Sequence, residues 1–152
     1  MLSVERSTVV KASPEACSAF LWEPLNLPRI DRKVTRMRVV SRGETRNTVD
    51  LFGLFGGFFP YWVRLEFTRQ PDGGFIAYRK FGPLKAFDTI FKLRPCEEGT
   101  QVTHIEAYDF YNLIPGLAER LYKPVVERVV EEELYRLRRF LEEGSDIEIP
   151  WS

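Results

Sequence analysis

The chain has 152 residues, of which 44% are hydrophobic and 29% charged, so it is long enough for one folded domain with a sizeable core. Lysine plus arginine and aspartate plus glutamate number 22 each, so no basic excess attracts nucleic acid. The start has no basic leader, and the longest apolar run is shorter than the roughly twenty residues of a membrane span. We therefore expect neither a signal peptide nor a membrane span, and the two cysteines fit a reducing cytoplasm.

The first predicted elements are a strand and two short helices. Residues 3–12 are rich in β-branched side chains, which predicts a strand. Ser13 is a suitable N-cap and Pro14 a suitable first helical residue, so a helix is expected to follow as far as Pro24. Residues 26–33 are expected to form a second short helix or a turn.

Six further strands are predicted in succession. Residues 59–68 give the clearest signal, because Phe59, Tyr61, Val63 and Leu65 alternate with more polar positions. Short turns separate the strands, which indicates an antiparallel meander. The predicted strands cover residues 34–41, 45–52, 59–68, 75–80, 84–93 and 100–111.

The last predicted element is a long amphipathic helix. From Leu117 to Leu141 the apolar residues recur at spacings of three and four. Pro124 predicts that this helix begins near Lys123 or kinks there, and Gly144 predicts its end. A single helix of this kind must cover one face of the sheet.

These elements predict an α+β fold. A seven-stranded curved antiparallel sheet is expected, with two short helices after the first strand and the long C-terminal helix across its concave face. The 14% aromatic content, with twelve phenylalanines, could line an internal cavity or fill it. We expect one domain over residues 1–144 and a short tail over 145–152.

The loops at the two ends of the predicted sheet differ in composition. Those at one end read SRGETR, QPDGG and PCEEG and are polar, whereas loops 53–60, 81–86 and 111–116 at the other end are apolar and aromatic. Exposed apolar loops reduce solubility. They are therefore expected to form the mouth of a ligand cavity, to plug the end of the core, or to make transient contact with a protein or a membrane. The mouth would be built by Phe55, Phe58, Phe59, Leu84, Leu113 and Ile114.

Short motifs spread along nearly the whole chain form a recognisable set: ASPE at 12–15, NLP at 26–28, FGPL at 81–84, FKLRP at 91–95 and EGTQVT at 98–103. In their order they resemble the polyketide-cyclase/START superfamily (SRPBCC). The resemblance implies a helix-grip fold whose cavity binds a lipid, sterol, quinone or polyketide. Some members of the superfamily catalyse cyclisation or hydrolysis. It supplies no catalytic signature that could be placed on individual residues.

His104 and Glu106 are the candidate catalytic residues. If Tyr108 and Phe110 point inward on the last strand, the histidine and the glutamate do so as well. His104 could then act as a base held by Glu106, or the pair could orient a ligand. The opposite strand phase would leave both in water. With one histidine and no Cys or His cluster, neither a metal nor another cofactor is expected.

We predict that the protein binds or transports a hydrophobic small molecule, such as a lipid, a quinone or a polyketide-like aromatic, in the cytoplasm. Two alternatives remain: a cyclase or dehydratase-type enzyme that uses His104 and Glu106, and an interaction module that docks through the aromatic loops. The predicted ligand contacts are Phe55, Phe59, Tyr61, Val63, Leu65, Phe87, Phe91, His104, Glu106, Tyr108, Phe110, Leu121, Val125 and Val129.

Overall fold

The computed structural model describes residues 1–55, 57–111 and 113–144, so the predicted tail lies outside the described residues. The strands are β1 (Leu2–Val10), β2 (Val34–Ser41), β3 (Arg46–Phe55), β4 (Phe59–Arg69), β5 (Phe75–Phe81), β6 (Ala86–Cys96) and β7 (Gly99–Asp109). The helices are α1 (Pro14–Trp22), α2 (Leu27–Ile30) and α3 (Leu117–Glu143), and a 3₁₀ turn covers Pro24–Asn26.

The strands form one antiparallel sheet in the order β1-β7-β6-β5-β4-β3-β2. Strands β2 to β7 follow each other as a meander, and β1 pairs with β7. Helix α3 lies across the concave face and makes most of its contacts with β1. The predicted α+β architecture is confirmed, including the two short helices between β1 and β2.

The first helix forms for the reasons that the sequence suggests. The Ser13 side chain accepts a hydrogen bond from the backbone N–H of Ala16 (3.1 Å), and Pro14 is the first helical residue. Cys17 and Phe20 on the inner face of α1 are buried in the core. Helix α1 therefore covers one part of the hydrophobic core. Residues of other elements line the interior below α3.

Helix α3 begins six residues before Lys123, the start given by one of the two predicted possibilities. Its first residue is Leu117, not a residue near Lys123, because the N–H of Arg120 already donates to the carbonyl of Gly116 (3.1 Å). Pro124 lies inside the helix, where it lacks the N–H that would bond to the Arg120 carbonyl. Since a hydrogen-bonded turn precedes it, the proline does not set the start of the helix.

Gly53 lets the segment after α2 pass close to strand β3. A Cβ atom at this position would lie 1.6 Å from the carbonyl oxygen of Lys33. That same oxygen accepts a hydrogen bond from the N–H of Leu54 (3.0 Å). Only a glycine allows this approach, which holds the backbone of Lys33 against the sheet while its side chain enters the interior.

Replacing Gly53 by alanine is therefore expected to lower the free energy of unfolding by about 2–3 kcal/mol, because the added methyl group must displace backbone atoms. Urea unfolding followed by circular dichroism measures the loss. Gly57→Ala is the control: a Cβ there meets no atom within 4 Å, so only its left-handed backbone (φ of 86°) adds a penalty of about 1 kcal/mol. Equal losses in the two variants would contradict the proposed close approach.

Candidate functional site

A cavity of about 250 Å³ lies between the concave face of the sheet and helix α3. Its wall is mainly apolar and aromatic, as expected of a small-molecule site. Strands β3, β4, β6 and β7 supply most of this wall, because alternate residues of each strand point to the concave face. The predicted ligand contacts that line it are Phe55, Phe59, Tyr61, Val63, Leu65, Phe87, Glu106, Tyr108 and Phe110.

The other predicted contacts do not line the cavity. Phe91 and His104 are fully buried behind its wall, where their rings stack at 4.0 Å. Leu121 is 62% exposed to solvent, and Val125 and Val129 are half-buried beside the cavity-facing side of α3. The structure therefore does not place these five residues where they were expected.

The difference on α3 is a rotation of the helix by about one residue. The inward face carries Tyr122, Val126, Val130, Glu133 and Leu137, of which Tyr122 and Glu133 line the cavity. Apolar residues occur in adjacent pairs, at 125 and 126 and at 129 and 130, so their spacing alone fits either orientation.

The apolar loops divide between the cavity wall and solvent. Phe55, Phe59 and Leu84 line the cavity, so the predicted mouth is partly built by these side chains. Phe58 is 67% exposed and Ile114 is 61% exposed, and neither lines the cavity; Leu113 is also exposed. Transient contact of these loops with a protein or a membrane stays a prediction.

Five buried ionisable side chains meet at the cavity wall, and we call them the Lys33 cluster. Its members are Asp31, Lys33, His104, Glu106 and Glu133. They come from the segment between α2 and β2, from β7, and from α3. All except His104 line the cavity. Both His104 and Glu106 are buried, so they point inward from β7. This is one of the two orientations of the strand that the sequence left open.

Lys33 is the centre of this cluster. Its Nζ lies 2.8 Å from Oε1 of Glu106, 3.0 Å from Oε1 of Glu133 and 3.5 Å from Oδ2 of Asp31. The backbone N–H of Lys33 also donates to Oδ1 of Asp31 (2.9 Å). An ammonium group has three N–H donors, so three carboxyl groups match its full donor capacity.

Tyr108, Ile90 and a close ion-pair contact hold the other groups of the cluster. The hydroxyl of Tyr108 donates to Oε2 of Glu106 (2.6 Å), and Nε2 of His104 lies 2.6 Å from Oε2 of Glu133. On the other side of the ring, Nδ1 of His104 donates to the carbonyl of Ile90 (3.1 Å). This bond and the stacking on Phe91 fix the imidazole ring.

The cluster shifts the pKa values of its members. Burial acts to lower the pKa of Lys33, but attraction to Asp31, Glu106 and Glu133 outweighs burial and raises the pKa well above its usual value. Burial also opposes the charged form of Glu133, yet Lys33 and His104 lower the pKa of this glutamate to about 2. Burial acts to lower the pKa of His104, but Glu133, Glu106 and the bond to Ile90 together outweigh burial and raise this pKa.

Asp31 differs from the two glutamates. Burial, followed by repulsion from Glu133, raises the pKa of Asp31 to about 8. At neutral pH Asp31 is then mainly protonated, and the charge of Lys33, together with the raised pKa of His104, offsets the charge of the glutamates. The cluster is therefore close to electrically neutral, which is the condition for burying several ionisable groups together.

Three members of the cluster also have the residue types of a metal site. Potential ligand atoms of His104, Glu106 and Glu133 all lie within 4.8 Å of one another. The ammonium group of Lys33, however, occupies the position of a cation between the two glutamates. The donor set is thus already matched to a lysine side chain, and the residues do not fit an additional metal ion.

Sequence reasoning missed Asp31, Lys33 and Glu133. Asp31 and Lys33 stand in a polar stretch that predicts only a turn, so nothing local marks them as buried. Glu133 could have been found, because it follows Val126 by seven residues and Val130 by three, which is the spacing of one helix face.

The fold and site together define a helix-grip protein with a mainly apolar internal cavity. The sequence pattern of the family "Polyketide cyclase / dehydrase and lipid transport" matches residues 1–142. The chain therefore belongs to this family, as its sequence motifs suggested. No curated protein matches the chain significantly. None of the described helices is long and apolar enough to cross a membrane.

Solved structures support the same fold. A START superfamily protein from Mycobacterium smegmatis is 13% identical, with a TM-score of 0.77 over 93% of this chain and 97% of its own. The Zhui aromatase/cyclase from Streptomyces sp. R1128 is 15% identical, with a TM-score of 0.77 over 93% of both chains. A STAR-related lipid transfer protein from Xanthomonas axonopodis is 16% identical, with a TM-score of 0.71 over 91% of this chain and 85% of its own.

Proposed function

We propose that the protein binds or carries an apolar small molecule, lipid-like or polyketide-like, in the cavity beneath α3. The observation that carries this proposal is the 250 Å³ cavity with a mainly apolar and aromatic wall. Burial of apolar surface contributes about 25 cal/mol per Å², so a ligand that buries roughly 350 Å² gains some 8–9 kcal/mol before the costs of association. The names of the similar aromatase/cyclase and lipid transfer protein support this class of ligand.

The position of His104 favours binding over the cyclase or dehydratase alternative. His104 does not line the cavity; its Nδ1 bonds to the carbonyl of Ile90, and its Nε2 lies 2.6 Å from a carboxylate oxygen of Glu133. Glu106 does line the cavity, but its two oxygens are held by Lys33 and Tyr108. A general base needs an accessible atom within hydrogen-bond reach of its substrate. We therefore assign His104 a role in positioning Glu133.

A variant that fills the cavity tests the proposal. Val63 lines the cavity, and Val63→Phe is expected to weaken binding of the neutral apolar fluorophore N-phenyl-1-naphthylamine at least about tenfold, because the ring occupies ligand volume. Fluorescence titration measures the affinity, and circular dichroism checks the fold. The matched control is Val40→Phe on the exposed part of β2, where binding should be unchanged.

Two results would contradict the proposal. One is equal affinity of the probe for Val63→Phe and the wild-type protein, which would place the probe elsewhere on the surface. The other is a wild-type protein that binds no probe and, after gentle purification, releases no apolar molecule on solvent extraction and mass spectrometry.

A further inference from the structure

Among the described residues that line the cavity, no cationic side chain is available to bind a ligand. Lys33 is the cationic side chain in this part of the wall, and its ammonium group already faces Asp31, Glu106 and Glu133 at 2.8–3.5 Å. A bound carboxylate would therefore place a further negative charge beside Glu106 and Glu133, with no free cation to balance it. Placing a further negative charge in a buried site of this kind is strongly unfavourable.

Two hydroxyl groups on the same wall are available instead. Tyr61 and Thr89 line the cavity, and within the described residues neither hydroxyl makes a hydrogen bond to another side chain or to the backbone. Burial and the nearby Asp31 raise the pKa of Tyr61, so its hydroxyl stays protonated and can donate. The adjacent carboxyl oxygens of the Lys33 cluster retain lone pairs that can accept.

From this arrangement we infer that the cavity selects a neutral apolar molecule with a hydroxyl group and rejects the corresponding carboxylate. The ligand hydroxyl accepts a hydrogen bond from Tyr61 and donates to a carboxyl oxygen of the Lys33 cluster. The apolar remainder of the ligand lies among side chains such as Val63, Leu65 and Phe87. This inference rests on the proposed function, since it names the chemical class that the same cavity takes.

Lys33 has a structural role under this inference. In many sites a buried lysine attracts an anionic ligand, but here its charge is balanced by groups of the protein itself. An amine ligand gains nothing either, because it would bring a second cation beside an ammonium group that Glu106 and Glu133 already face. The site thus discriminates by hydrogen bonds and by the cost of an unpaired charge.

Three ligands that differ in one group test the inference: naphthalene, 2-naphthol and 2-naphthoate, each titrated by displacement of N-phenyl-1-naphthylamine at pH 7. Naphthalene, which has no polar group, reports whether the cavity binds apolar molecules at all. We expect 2-naphthol to bind about 3- to 10-fold more tightly than naphthalene, and 2-naphthoate to bind at least about 100-fold more weakly than 2-naphthol.

The variant Tyr61→Phe removes the proposed donor and keeps the ring. It should abolish the preference for 2-naphthol over naphthalene, measured as the ratio of the two affinities in the same variant. The control is Tyr135→Phe, which removes a hydroxyl on the solvent-exposed side of α3 and should leave all three affinities unchanged.

The outcomes separate this inference from the proposed function. If naphthalene binds and 2-naphthoate binds as tightly as 2-naphthol, the selectivity is overturned while the cavity remains a binding site. Tighter binding of 1-naphthylmethylamine than of 2-naphthol would also overturn it, since the wall would then act as a net negative charge. If none of the compounds binds, the proposed function fails and this inference fails with it.

Discussion

Lys33→Met is expected to lower the free energy of unfolding by about 3–5 kcal/mol, the usual result of removing one partner from a buried ion pair. The side chain of Lys33 is 7% exposed, and its charge lies between Glu106 and Glu133, which are 2% and 3% exposed. Without the ammonium group, these carboxylates would have to take up protons, or water would have to enter the cluster. Urea unfolding at pH 7 measures the loss.

Two further variants make this prediction specific. Lys92→Met changes an exposed lysine of β6 in the same way and should alter stability by less than about 0.5 kcal/mol. Adding Glu133→Gln to Lys33→Met removes one of the stranded charges, so the double variant should recover part of the loss. A loss below about 1 kcal/mol for Lys33→Met would mean that the cluster does not depend on its central cation.

Asp31→Asn is expected to have the opposite effect and to stabilise the protein at neutral pH. Because burial and Glu133 raise the pKa of Asp31 from 3.8 to about 8, the folded chain keeps a proton that the unfolded chain releases. The stabilising contribution of Asp31 is therefore complete below about pH 4 and is lost as the pH rises towards about 8. The variant does not titrate, and its amide oxygen can still accept the hydrogen bond from the Lys33 N–H.

The difference in stability between Asp31→Asn and the wild-type protein should therefore grow with pH. Between about pH 4 and pH 8 the gain is expected to increase by at most about 1.4 kcal/mol per pH unit. Urea unfolding across this range measures the slope. Asp109→Asn, which alters a partly exposed aspartate paired with Lys85, should give a curve parallel to that of the wild-type protein. A destabilising effect of Asp31→Asn at pH 7 would show that Asp31 is ionised in the folded state.

The sheet could be predicted from the sequence because its signals are local. Strand β4 was expected over residues 59–68 and covers Phe59–Arg69, since the alternation of its side chains records the two faces of the sheet. Strand β3 was expected to end at Phe52 but continues to Phe55. Its last residues include Gly53, a residue type that does not favour a strand. A glycine lies there because the backbone of Lys33 passes close to this position.

The candidate site was less predictable because its contacts are distant in sequence. The aromatic wall follows from the strand pattern, whose inward positions include Tyr61, Val63 and Phe87, and these residues line the cavity. The ion pairs of Lys33, by contrast, join residues 73 and 100 positions apart. A lysine in a polar stretch normally lies in solvent, and only the tertiary fold reveals that Lys33 is buried.

The placement of Glu133 on the final helix has a consequence for synthesis of the protein on the ribosome. Until α3 leaves the exit tunnel, His104 and Lys33 lack the carboxylate that contacts both of them. The sheet can form its backbone hydrogen bonds before then, but its interior charges remain unbalanced and the concave face stays open to water. The nascent chain therefore reaches its stable form only after α3 has emerged and packed against the sheet.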